Sequence, residues 1–167
     1  MRNIGEYVLY GAAGVMTIVD IREESIGDVS RKYYVLRAAS SRTDSLTFVP
    51  ADNERLVTAM RPLLTDEELD ALVSDAKNIQ PCQWIEANRA RSEAFKAIME
   101  SGDRVGMIAM IKAINEHGIR RSEEGRKNFL ADETAKQKAL KLLSSEIAIV
   151  RGISDDEALD FTEGLMK

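Results

Sequence analysis

Short β-branched runs in the first third of the chain, then a switch to helical apolar spacing, predict an α+β fold: a small β-barrel module followed by an all-α helical bundle. Strand-like runs separated by turn residues occupy residues 1–60. Beyond Pro62 the apolar positions repeat every three to four residues, and helix caps recur at helix-length intervals. With 167 residues, 44% hydrophobic and 31% charged, the chain can bury a real core in each part. The boundary is set at residue 60, giving a barrel over 1–60 and a helical domain over 61–167.

The elements follow in order. Tyr7-Val8-Leu9-Tyr10 is a strand ended by Gly11, and residues 14–21 form a second, β-branched strand. Ser25-Ile26-Gly27-Asp28 carries turn chemistry, and residues 32–37 form the third strand. A loop over residues 40–44 leads to Leu46-Thr47-Phe48-Val49, closed by Pro50. Four or five short strands in so few residues predict a bent barrel of the Tudor/SH3-like kind, an architecture that binds partners through edges and loops. Thr65 and Glu68 form a capping box for a helix through Leu69, Leu72 and Val73. Trp84 is expected to begin a longer helix that stops at Gly102, where Asp103 caps the next. That helix carries Val105, Ile108, Ile111 and Ile114 and is expected to end at His117-Gly118. A helix over residues 131–150 and a final acidic helix capped by Ser154 and Glu157 complete a bundle of about five.

The chemistry of most enzymes is missing from this pattern. His117 is the only histidine and is expected to cap a helix C-terminus; Cys82 is the only cysteine and has no thiol partner. No catalytic constellation, cofactor motif or metal-ligand cluster can be assembled, so no catalytic, cofactor or metal residue is expected. No apolar run is long enough to span a bilayer, and residues 1–6 lack the apolar core of a signal peptide. A cytoplasmic protein is expected, with no membrane partner and no small-molecule substrate. A monomer is the expected state.

The net charge of −5 argues against a bulk polyanion binder, but its distribution is uneven. Between Trp84 and Arg151, 13 Lys and Arg stand against 10 Asp and Glu, a local excess of three positive charges. Trp84 is the only tryptophan. A helix starting there places Asn88 and Arg91 on its own face, with Arg89 and Lys96 flanking. Arg120-Arg121 and Arg126-Lys127 form a second cationic group. Two readings stay open from the residues alone: Trp84 anchors a core, or it wedges into distorted nucleic acid while nearby cations hold phosphates.

The ordered pieces Ile4-Gly5-Glu6-Tyr7-Val8-Leu9-Tyr10, Tyr33-Tyr34-Val35-Leu36, Phe48-Val49-Pro50-Ala51-Asp52-Asn53, Arg61-Pro62-Leu63, Trp84, Ser101-Gly102-Asp103, residues 139–148 and Gly152-Ile153-Ser154-Asp155-Asp156-Glu157-Ala158 run nearly end to end. Together they resemble the CarD/CdnL family of bacterial transcription regulators. The resemblance implies an N-terminal module that docks on the RNA polymerase β subunit, with Arg22, Glu24, Arg37 and Phe48 at the docking positions. It also implies a helical domain that touches promoter DNA at the upstream edge of the melted bubble and stabilises the open complex. There Trp84 would enter the minor groove, with Asn88, Arg89, Arg91, Lys96, Arg126 and Lys127 on the backbone. DNA binding would be weak alone and strengthened by tethering to polymerase. The chain departs from the family pattern at Tyr10-Gly11-Ala12-Ala13, at Glu24 and Phe48 on the docking strands, and at Glu86-Ala87 beside the tryptophan. A protein-interaction adaptor without DNA contact is the rival reading.

Overall fold

The computed structural model describes residues 1–40 and 44–167, with only the backbone described at Ile26. Of the loop expected over residues 40–44, Ser41, Arg42 and Thr43 lie outside the described residues. The chain divides into two units, Met1–Leu63 and Leu64–Lys167.

The first unit is an antiparallel sheet of β1 (Tyr7–Tyr10), β2 (Val15–Ile26), β3 (Val29–Ala38), β4 (Leu46–Pro50) and β5 (Met60–Pro62), in the order β4-β3-β2-β1-β5. Among the described residues the sheet keeps two edges, β4 and β5, and does not close into the expected barrel. A short helix, α1 (Glu54–Ala59), interrupts what the sequence presents as all strand; the Asn53 side chain caps it by accepting from the Leu56 N–H at 3.2 Å. Arg61 and Pro62 pair with Leu9 and Val8, so the unit runs three residues past the expected boundary. Pro62 sits on an edge strand, where the sheet tolerates a missing donor.

Strands β2 and β3 make one long hairpin closed by Gly27-Asp28 between paired Ile26 and Val29. Its register shifts between Ile18 and Asp20, leaving Val19 as the extra residue of a bulge. The bulge resets the inside–outside phase. Met16 and Ile18 face the core, and the next inward residue is Ile21 rather than Asp20. The core joins these to Val8, Tyr34, Leu36, Val49 and Met60. This face excludes water and fixes which residues occupy the other one.

The second unit is all helical: α2 (Asp66–Asp75), α3 (Asn88–Ser101), α4 (Arg104–Glu123), α5 (Leu130–Arg151) and α6 (Asp155–Gly164). Both capping boxes form, at Thr65/Glu68 and Ser154/Glu157. Gly102, at φ 67°, ends α3 in the left-handed conformation, and Asp103 caps α4 by accepting from the Gly106 N–H at 3.0 Å. Phe95 and Met99 of α3, Met107, Ile108, Ile111 and Ile114 of α4, and Leu140 and Leu143 of α5 form the main core.

Two helix boundaries differ from expectation. Helix α3 starts at Asn88, four residues after Trp84, because the preceding segment is held extended against α4. Pro81 lacks a donor and restricts Gln80; the Cys82 N–H donates to the Ala109 carbonyl at 3.1 Å; and Lys112 Nζ donates to the Ala76 and Ile79 carbonyls at 2.6 and 3.0 Å. Helix α4 does not stop at His117-Gly118 but continues to Glu123. Gly118 is there for space: a Cβ would lie 2.5 Å from Nδ2 of Asn128 in the connection to α5. No helix among the described residues is long and apolar enough to cross a membrane.

Candidate functional site

Two surfaces carry the residues singled out by sequence, one on each unit. On the first, cross-strand register decides the arrangement. Arg22 lies opposite Tyr33, which lies opposite Pro50; Asp20 lies opposite Val35, which lies opposite Phe48; and Arg37 lies between Thr17 and Leu46. Side chains alternate along each strand, so Arg22, Glu24, Arg37 and Phe48 all project from the face opposite Tyr34, Leu36 and Val49. The structure therefore brings the four together on one sheet face.

On that face Phe48 remains 42% exposed on edge strand β4, beside Leu46 at 39%. Tyr33 meets the Phe48 ring edge-on with centroids 6.3 Å apart, and the Arg22 guanidinium lies 5.0 Å from the Phe48 centroid. Arg22 Nε also pairs with Glu24 Oε1 at 2.9 Å, so the anion at this docking position locally neutralises a cation. Arg37 is exposed beside Leu46. An apolar, aromatic centre rimmed by arginines has the composition of a protein-contact hot spot. Tyr33 and Leu46 were not among the predicted docking residues, although the period-two alternation around Val35 and Phe48 could have found them.

On the second unit the candidates scatter. Trp84 lies in the extended segment before α3, half-buried and packed against the main core, with Phe95 edge-on at 6.4 Å. The His117 imidazole stacks on it, centroids 3.8 Å apart and planes within 13°. His117 is thus a mid-helix partner of the indole rather than a C-terminal cap. Its pKa is lowered first by burial and then by Arg120, with Arg121 and Arg91 adding to the effect and Glu86 opposing it. Burial pushes the Cys82 thiol up, away from a reactive thiolate.

Arg91 is not a phosphate holder. It is 2% exposed and forms a bidentate ion pair with Asp132 of α5, itself 3% exposed: Nε to Oδ1 at 3.0 Å and Nη2 to Oδ2 at 2.9 Å. Nη2 also donates to Asn88 Oδ1 at 2.9 Å, and Nη1 donates to the Ile85 and Glu86 carbonyls at 2.7 and 3.2 Å. All five guanidinium donors are thereby engaged. A backbone phosphate has nothing left to bind. Asn88 is exposed at the start of α3 but turns its carbonyl oxygen to this arginine.

The remaining cations are at the surface, and three of them lie near an acid. Arg89, its side chain 94% exposed, pairs with Glu93 at 3.2 Å; Lys96 reaches Glu100 at 3.7 Å; Arg126 reaches Glu124 at 3.7 Å. Lys127 is exposed, and its carbonyl accepts from Arg121 Nε at 2.8 Å. Sequence reasoning overlooked Asp132 and Phe129 here. Phe129 takes Arg121 at 4.2 Å and Arg91 at 5.3 Å over its ring. Nothing local marks Asp132, because its partner is 41 residues away.

The first unit is thus a small sheet with an exposed aromatic–cation face, and a helical unit follows it in the chain. Residues 3–64 match the family model described as the CarD-like/TRCF RID domain, which is consistent with the resemblance over this first unit. The match spans the sheet and ends at the start of the helical unit. No curated protein matches the chain.

Proposed function

We propose that this chain is a non-enzymatic, cytoplasmic regulator of transcription initiation that docks on the RNA polymerase β subunit and contacts promoter DNA at the upstream edge of the melted region. The observation that carries the reading is the RID-domain match over the unit whose outer sheet face exposes Phe48 and Leu46 between Arg22 and Arg37. That composition suits burial against another protein: aromatic and aliphatic side chains supply desolvation, and arginines supply directed hydrogen bonds at the rim.

For the helical unit we propose Trp84 as the wedge, with Arg89, Lys96, Arg126 and Lys127 as the backbone contacts. Three of these cations, Arg89, Lys96 and Arg126, already have an acid nearby, so the DNA affinity of the chain alone is low and strongly salt-dependent. Docking on polymerase supplies the missing affinity by raising the local concentration of promoter DNA. A wedge that favours the distorted junction over closed duplex slows bubble collapse by population shift.

A protein adaptor without DNA contact is the second reading, favoured by the packing of Trp84 on the core and the removal of Arg91 from the cation set. One experiment separates them. In a promoter open-complex dissociation assay with the full chain and polymerase, Trp84→Ala should shorten complex lifetime while polymerase capture is retained. An unchanged lifetime would favour the adaptor.

A further inference from the structure

Trp84 is one member of a continuous stack. The His117 ring lies 3.8 Å from the indole centroid, and the Arg91 guanidinium lies 4.5 Å from it. Arg91 in turn covers Phe129 at 5.3 Å, and Arg121 covers the same ring at 4.2 Å. The stack ties together the extended segment before α3, α3 itself, α4, and the connection into α5.

The central member cannot move independently. Its guanidinium holds the carbonyls of Ile85 and Glu86, the two residues that follow Trp84, while its other donors grip Asn88 and buried Asp132. Swinging the indole away would pull on those carbonyls, and releasing them would leave a buried guanidinium incompletely satisfied. From α4, the backbone bond between Cys82 and Ala109 pins the segment two residues earlier. An aromatic plate that must pry against a stacked duplex works best when its own orientation is already fixed, because the ordering cost is then met on folding rather than on binding.

We propose that Arg91 and His117 are positioning residues that brace Trp84: Arg91 fixes the backbone behind the indole, and His117 supports its flat face. This inference rests on the wedge reading for its consequence in transcription, but its geometric content does not. Trp84 is the sole tryptophan, so its emission reports the brace in the full chain without any DNA.

The test compares acrylamide quenching of Trp84 with open-complex lifetime in His117→Ala, His117→Phe and Arg91→Lys, with thermal melting as the control for folding. His117→Ala should make the indole several-fold more accessible to quencher and shorten the lifetime, whereas His117→Phe, which restores a flat ring, should keep both close to the parent. Arg91→Lys should raise quenching as well, because a single ammonium cannot reach Asp132, Asn88 and two carbonyls together. Unchanged quenching in His117→Ala, or an equal loss in His117→Phe, would overturn the bracing role of His117. A melting temperature lowered by Arg91→Lys with unchanged quenching would make Arg91 a fold residue only. If Trp84→Ala leaves the lifetime intact while the quenching results hold, the wedge reading fails and the brace stands.

Discussion

Arg91 spends its guanidinium inside the helical unit. An arginine on a helix beside a tryptophan has the look of a phosphate ligand, yet Arg91 is buried by Asp132 and five satisfied donors. Replacing Asp132 by Ala leaves that guanidinium uncompensated, and we expect a loss of about 3–5 kcal/mol of stability in urea unfolding. His117 gives a pH prediction. Its folded pKa lies below the ordinary 6.5, so the fold favours the neutral ring. The stability this contributes is present above pH 6.5 and is lost as pH falls through the lowered value. Thermal melts should therefore show a decline as pH falls below about 6.5, levelling off beneath the lowered value, that His117→Gln abolishes; an identical decline in the variant would contradict it. Phe48 was named only through its aligned position in the family pattern, and the burial of Arg91 was not legible in the sequence because it depends on a partner in α5.

The two capping boxes were read correctly, the Asn53-capped α1 was missed although its cap is just as local, and the boundaries set by tertiary contact were missed as well. Both capping boxes lie within four residues of sequence and formed as expected. Ser154→Ala removes the side chain that accepts from the Glu157 N–H, and it should cost about 1 kcal/mol, seen as a lower unfolding midpoint at constant slope. The bulge at Val19 has a sequence signature in hindsight, since the apolar spacing passes from two between Met16 and Ile18 to three between Ile18 and Ile21. Gly118 misled for a physical reason. Glycine ends helices through backbone freedom, but it also admits close neighbours, and here Asn128 takes the space inside a continuing helix. The late start of α3 has a similar cause, since the Lys112 and Ala109 bonds that hold residues 76–82 come from a different helix.

Taken whole, the chain holds two units with separate cores, one around Ile18 and Leu36, the other around Ile108 and Leu140. Under the proposed function, the acidic balance of −5 fits DNA contact made through a tethering partner instead of by bulk charge. Docking on that partner is the step on which everything else depends. It is tested by capture of RNA polymerase β subunit on the immobilised full chain, comparing the parent with Phe48→Ala and Trp84→Ala. We expect Phe48→Ala to weaken capture by at least about tenfold, as loss of a central aromatic contact does, while the sheet remains folded and Trp84→Ala binds like the parent. Undiminished capture by a folded Phe48→Ala protein would contradict docking through this face.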